Sequence, residues 1–482
     1  MLLKELQFSP KNRTYRKWLL VCLCLGILAS YCGKSQNATG SKHEQRMTPQ
    51  SSIPVRPNIL LLVVDTLRFD ATSLADSYSK NTPFLKRLAK HAMNFRRSYS
   101  TFDSTPTSHF SMLTGYVDGL QTDIDHTNLS LPYQLKEIGY HTFGVAANGN
   151  LSKKTMPVLL GFDRYVCLQE LWLDMPLSER ERFYRKLDGR ISSYGGRVND
   201  FNRMFMFSSA NAVIPLFKEW IQETSRPFFG FVNLIEPHDP YFPDSRFYNK
   251  EVSEKNIRPK SFDSDIRFRS LGPTLANPDA IENEQQRIKL KQRIDTVGGR
   301  SWSLSDDLTT EDLRMYRMRY EGEVREIDNH LEMFFRFLKK EKLLDSTIVI
   351  ITSDHGEAFG EKGYVTHTLS NCGGREATQR VPLLIYFPKY LGIASKESTA
   401  LCSIADIPPT IYDILGIDWW PLAEQTRIGN FGKSLIPFLK SPENIRYSTI
   451  AHIRSLNAIE PMAQDRFKKE AMERLRSLGY LN

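Results

Sequence analysis

With 482 residues, 41% hydrophobic and 25% charged, the chain has material for one large α/β domain with peripheral segments, and it is too apolar to stay disordered through its body. The 64 basic and 55 acidic residues give a net charge of +9, but no basic stretch is interleaved with aromatics as a single-strand binder requires, so nucleic acid is excluded and an anionic substrate or surface is favoured. Six cysteines, three of them (Cys22, Cys24, Cys32) in an N-terminal apolar run, and no Cys-x-x-Cys pair argue against a disulfide framework or a cysteine zinc site.

Residues 1 to 17 carry Lys4, Lys11, Arg13, Arg16 and Lys17 against one acid, Glu5, and Trp18 to Gly33 is uncharged. A basic segment followed by such a run is an export address, read either as a signal peptide or as a membrane anchor, since the run is slightly short of the roughly 20 residues a span requires. Cys32 after Leu28-Ala29-Ser30-Tyr31 offers a third reading, a lipid anchor, although Tyr31 is bulkier than the residue usual there. All three leave the remainder outside the cytoplasm, held at or released from a membrane. Residues 34–56, rich in Ser, Gln, Asn and Thr, read as a linker to a catalytic domain over 57–440.

Asn58 to Val64 is a continuous apolar run ending at Asp65, the pattern of a strand buried on both faces. The same reading applies to Phe228–Ile235, ending at Glu236-Pro237-His238, and to Thr347–Ser353, ending at Asp354-His355-Gly356. Thr142–Ala147, ending at Asn148, is a weaker case. Helical stretches such as Thr82–Ala92 and Leu313–Lys340 separate these strands, predicting an α/β fold with a largely parallel sheet whose carboxyl edge carries the ligand site. Residues 243–312 break the alternation and read as an insertion or lid. Asp406 to Gly416 reads as a turn and short helix, and the tail, 441–482, contains a surface helix from Asp465 to Leu481.

Asp65, Asp354 and His355 form a mixed oxygen and nitrogen set suited to one divalent metal, with Zn²⁺ or Mn²⁺ favoured and Ca²⁺ less so because calcium prefers all-oxygen shells. Taken singly, each of these residues is as readily explained as a local cap. Thr105 opens Thr-Pro-Thr-Ser-His-Phe-Ser-Met-Leu-Thr-Gly115, a polar turn entering an apolar helix, where free N–H groups and the helix dipole suit a tetrahedral oxyanion; an ordinary N-cap is the common alternative. A threonine hydroxyl becomes nucleophilic only when a cation lowers its pKa, so nucleophile and metal require each other. His109, His238 and His367 are candidates to surround the equatorial oxygens of a phosphoryl or sulfuryl group.

These segments together resemble the sulfatases and sulfatase-like enzymes of the alkaline phosphatase superfamily over roughly residues 56–440. The resemblance is carried by Arg56 to Arg68, Thr105 to Gly115, Gly139-Tyr-His-Thr142, Glu236 to Tyr241, Tyr320 to Val324 with Asp328, Ser353 to Glu357 and Arg380 to Leu384. It implies an alkaline-phosphatase-like sandwich with a central, largely parallel sheet flanked by helices, plus a smaller C-terminal subdomain. It also implies hydrolysis or transfer of phosphate or sulfate esters, lipid- or glycan-linked substrates among them, through a covalent intermediate on the residue at position 105.

Departures from the family pattern direct the finer reading. True sulfatases carry at the nucleophile a cysteine or serine converted to formylglycine, which Thr105 cannot become. His109 replaces the arginine of the modification motif, Thr66 replaces a second aspartate, and Ala147-Asn148-Gly149 stands where sulfatases have Lys-x-His. The Thr-x-x-x-His spacing is similar to that of nucleotide pyrophosphatase/phosphodiesterases, and threonine nucleophiles also serve phosphoethanolamine and phosphoglycerol transferases. His238 stands where two-metal relatives have an aspartate, so a single metal is expected. Asp65, Thr105, Asp354 and His355 are therefore the expected metal set, with Thr105 and His238 catalytic and His109, Asn148, His238 and His367 on the substrate. The alternatives are a sulfatase acting without formylglycine and a metal- or glycan-binding pseudoenzyme at the cell surface.

Overall fold

Alternate residues of the first strand feed two separate cores: Leu60, Leu62 and Val64 pack on one side, and Ile59, Leu61 and Val63 on the other. A strand apolar on both faces is stable only between two layers, and that is how it sits. The computed structural model describes residues 56–117, 127–195, 198–257, 308–363, 365–367, 374–418, 431–439 and 464–477. The signal or anchor segment with Cys32, the linker up to residue 55, most of the 243–312 insertion and the tail outside 464–477 lie beyond the described residues. Among the described residues no helix is long and apolar enough to cross a membrane.

The strands are β1 (Asn58–Val64), β2 (Met93–Tyr99), β3 (His141–Ala146), β4 (Arg164–Cys167), β5 (Phe228–Leu234), β6 (Thr347–Thr352), the short hairpin β7 (Ala358–Phe359) and β8 (Val365–Thr366), β9 (Leu383–Tyr386) and β10 (Glu397–Ser403). The principal helices are α1 (Pro83–Leu88), α2 (Thr105–Thr114), α3 (Leu131–Glu137), α4 (Asp200–Phe207), α5 (Ala210–Glu223), α6 (Thr310–Lys340), α7 (Ile407–Leu415) and α8 (Gln464–Ser477). Eight strands form one sheet in the order β10-β2-β9-β6-β1-β5-β3-β4, and only β9 runs antiparallel to its neighbours. The expected α/β class with a largely parallel sheet is therefore what the chain adopts. One core lies beneath α5 and α6, with Trp220, Phe217, Tyr320 and Val324, and the other beneath α2, α3 and α7, with Phe110, Leu113, Leu135 and Ile411.

Local signals account for the element ends. The long helix α6 begins three residues before the predicted Leu313, because Thr309 and Asp312 form a reciprocal capping box that fixes the start at Thr310. Asp328, inside α6, accepts from the N–H groups of Phe84 and Leu85 at 2.8 and 3.0 Å and so holds the first turn of α1. Helix α8 lies against the edge strand β4, burying Ala471 and Leu475 on one stripe while Glu470 pairs with Arg164 of β4.

Register fixes the site. Val64 lies opposite Leu234, Val63 opposite Thr352, and Ala146 opposite Asn233, so β6, β1, β5 and β3 end level with one another. The residues that follow all emerge at one edge of the sheet, where open α/β folds bind ligands.

Candidate active site

Asp65, directly after β1, is fully buried, and its Oδ2 accepts from Asn148 Nδ2 at 2.9 Å and Asn233 Nδ2 at 3.3 Å. Its Oδ1 is buried without a hydrogen-bond partner. Asp354, after β6, accepts at Oδ1 from the N–H groups of His355 at 2.9 Å and Thr66 at 3.2 Å. Thr66 reaches that contact by adopting φ of 53°, a left-handed conformation costly for a β-branched residue and held here by Tyr320, whose hydroxyl donates to the Thr66 carbonyl at 2.9 Å. Asp354 Oδ2 faces the imidazoles, 3.4 Å from His355 Nε2 and 3.6 Å from His109 Nδ1.

His355 Nδ1 lies 2.9 Å from the Gly356 carbonyl, which only an N–H can satisfy, so the ring presents a bare Nε2 to the site. Gly356 is required by space, since a Cβ would come within 2.1 Å of the Ala377 carbonyl oxygen. Ligating atoms of Asp65, Asp354 and His355 lie within 4.8 Å of one another.

The Thr105 hydroxyl completes this group. Ser104 is the N-cap of α2, and Thr105, the first helical residue, turns its Oγ1 to His355 Nε2 at 3.3 Å and Asn148 Nδ2 at 3.4 Å. Thr105 is 3% exposed. The expected constellation of Asp65, Thr105, Asp354, His355 and Asn148 is thus assembled in one place from four separate stretches of chain.

The three remaining histidines divide. The His367 ring lies tilted 4.3 Å from that of His355 and edge-on 4.9 Å from that of His238, measured between ring centroids, and its Nδ1 is 2.9 Å from Glu357 Oε1. These two rings therefore adjoin the site. His109, one turn after Thr105, is fully buried edge-on to Phe231 with Nδ1 against the Thr105 carbonyl at 2.9 Å. Burial lowers its pKa to about 3, so it is neutral and supplies no charge to an anion; its contact instead steadies the turn that presents Thr105.

Two buried carboxylates facing one another are electrostatically costly. Burial, then the charge of Asp354, pushes Asp65 up to about 7 against the help of His355, Asn148 and Asn233. Burial likewise raises Asp354 to about 7, opposed by the Thr66 and His355 N–H groups and the Thr105 hydroxyl. An orphaned carboxylate oxygen, a second carboxylate and a bare imidazole nitrogen converging in a buried space fit a divalent cation.

Asn233 is a site residue that the apolar run of β5 concealed. Its Oδ1 accepts the Asn148 N–H at 3.0 Å while its Nδ2 donates to Asp65, tying β3 to β1. Asn233→Leu is expected to weaken metal affinity by roughly 10- to 100-fold and to lower the melting temperature, because Asp65 loses a donor and a buried N–H loses its acceptor. Metal titration followed by calorimetry measures both, and a variant that binds as wild type does would exclude this supporting role. The Glu357–His367 contact was also hidden, since nothing in the local sequence links the two.

The sulfatase family profile matches residues 57–417. A choline-sulfatase of Rhizobium meliloti (strain 1021) is 24% identical over 408 residues, covering 80% of this chain and 72% of that protein. The multifunctional alkaline phosphatase superfamily protein PehA of Trinickia caryophylli is 25% identical over 443 residues, covering 82% and 80%. Among solved structures, the phosphonate monoester hydrolase of Agrobacterium radiobacter has a TM-score of 0.52 at 22% identity, covering 81% of this chain and 79% of that one, a likeness of fold.

Proposed function

Since the chain belongs to the sulfatase family, we propose that it is a metal-dependent hydrolase or transferase of phosphate or sulfate esters, with phosphodiesters preferred and Thr105 as nucleophile. The observation that carries this reading is the Thr105 hydroxyl, buried 3.3 Å from His355 Nε2 beside two carboxylates. A threonine there supports phosphoryl over sulfuryl chemistry, because it cannot provide the formylglycine on which sulfatases of this family depend. The relatives are named for sulfatase, phosphonate hydrolase and broader superfamily activities, which supports the general class.

Asp65, Asp354, His355 and the Thr105 oxygen would hold a divalent cation, Zn²⁺ or Mn²⁺ by the donor set, which would supply positive charge that lowers the hydroxyl pKa and offsets charge on the ester. Thr105 Oγ1, its proton released to solvent, attacks phosphorus or sulfur in line. Its bond to that centre forms as the bond to the leaving alcohol breaks, and the alcohol oxygen takes a proton from His238 or His367. Asn148 Nδ2 holds Oγ1 in place for the attack. Water or an acceptor alcohol then attacks the same centre, giving its proton to the imidazole that protonated the first alcohol, and Thr105 Oγ1 leaves and takes up a proton from solvent. The basic, uncharged-run N-terminus supports export of this domain, with attachment at a membrane.

Rates on bis-p-nitrophenyl phosphate and p-nitrophenyl sulfate, measured on one metal-loaded sample, test the assignment. The phosphodiester is expected to turn over at least about tenfold faster in kcat/KM. A faster sulfate ester would establish a sulfatase working without formylglycine. Metal-dependent ligand binding with neither ester turned over would identify a pseudoenzyme.

A further inference from the structure

The strands parallel to β1 all start at the sheet edge remote from Thr105, and β9, running the other way, ends there. Asn58 lies opposite Thr347 and His141 opposite Phe228, so those starts are level. The connections along this edge are 56–57, 89–92, 138–140, 162–163, 224–227, 341–346 and 387–396. Their basic side chains are Arg56, Lys90, Arg226, Lys342, Lys389 and Lys396, all exposed, and the exposed Lys339 and Lys340 of the last turn of α6 join them. Their acids are Glu341, Asp345 and Asp163, the last already paired with Lys136 at 2.6 Å. Apart from Arg56, whose guanidinium donates to the Ile138 carbonyl, none of these listed cations has a side-chain hydrogen bond or ion pair among the described residues.

A solvated lysine needs no partner, but these lie where the chain enters the domain. The entry is pinned, since the Tyr140 hydroxyl donates to the Pro57 carbonyl at 2.8 Å. Residues 1–55, which lead to it, hold the basic segment and the uncharged run of an export address. Tyr390, 43% exposed, adjoins Tyr140 as Arg56 does, which puts an amphipathic aromatic beside the entry, the residue type favoured at a lipid interface. We propose that this edge docks on an anionic lipid surface, with its basic turns against the phosphate headgroups. A tether keeps the domain close to its membrane, and the face that carries both the tether and the unpaired cations is the one an anionic surface attracts. The docking rests on the proposed membrane attachment and adds an orientation to it. With β1 seven residues long, Asp65 stands about 23 Å from the docked edge, so the ester reaches Thr105 from the aqueous side.

The test uses the full chain in nanodiscs of phosphatidylglycerol or of phosphatidylcholine, with lysine acetylation by acetic anhydride followed by peptide mass. Acetylation of Lys339, Lys340, Lys342, Lys389 and Lys396 is expected to be at least about fivefold slower on the anionic discs, the difference vanishing at about 0.5 M NaCl. The exposed Lys154 and Lys362, after β3 and β6 at the catalytic edge, should react equally on both lipids. Replacing Lys339, Lys340 and Lys342 together by Gln should release Lys389 and Lys396 from protection and leave turnover of a soluble ester unchanged. Equal labelling on the two lipids, or protection of Lys154 and Lys362 instead, would overturn the docking. Protection by heparin without protection by anionic discs would overturn it too, in favour of an acidic polysaccharide. A chain that neutral discs do not retain, yet that sediments with phosphatidylglycerol vesicles at low salt only, would refute the anchor while the docking stands.

Discussion

Thr105→Ala is expected to lower kcat by at least about 10³-fold on the best ester while leaving the melting temperature close to that of the wild type. The hydroxyl caps no helix and bridges no core contact; its partners are His355, Asn148 and Asp354, each of which keeps other hydrogen bonds. Its removal therefore deletes a nucleophile from an otherwise intact setting. Thr105→Ser, which retains the oxygen, should recover measurable turnover, separating a chemical role from a packing one. Quenched-flow trapping of radiolabelled phosphate on the chain gives the direct readout: label is expected on wild type and absent from Thr105→Ala. Near-normal activity of the alanine variant would transfer the attack to water and end the covalent scheme.

Chelation is expected to abolish activity and to lower the melting temperature at pH 8 by about 5 °C or more, with both restored by Zn²⁺ or Mn²⁺. The pH dependence follows from Asp65 and Asp354, each pushed to about 7 in the metal-free fold. An aspartate whose folded pKa lies above its unfolded value makes the folded state the better proton binder. Metal-free stability therefore falls as pH rises from about 4 through 7, the two ionised carboxylates repelling one another in a dry site. A bound cation must displace those protons, so the metal-dependent gain in melting temperature grows through the same window. Asp65→Asn separates the two effects: its metal-free form should melt at or above the metal-free wild type at pH 8, and added metal should raise it little. A wild type whose melting is indifferent to metal at pH 8 would remove the cation from the site.

The strands that could be read from sequence are those buried on both faces. β1, β5 and β6 appear as unbroken apolar runs because helices cover both sides, and their ends correctly located Asp65 and Asp354-His355. β2, Met-Asn-Phe-Arg-Arg-Ser-Tyr, and β10, Glu-Ser-Thr-Ala-Leu-Cys-Ser, lie toward the exposed margin, where partial solvation admits charged and polar residues that hide the pattern. The residues around the site that went unseen act through tertiary contacts: Asn233 within an apolar strand, Glu357 toward His367, and Tyr320 from a helix to the Thr66 turn. The reading of His109 as a charged contact failed for a related reason, since a histidine's protonation follows from how deeply its neighbours bury it.

The level endings of β6, β1, β5 and β3 have a consequence for how the centre is filled. No contiguous peptide contains more than the adjacent Asp354 and His355, so a nascent or unfolded chain offers an ion little more than a weak bidentate grip. Parallel pairing between segments nearly 300 positions apart is slow, and the cage exists only once it is complete. Loading of the proposed centre would then follow maturation. Any ion it takes would be chosen from the pool of whichever compartment hosts the last step of folding, with local abundance weighing as heavily as the intrinsic ranking of metals.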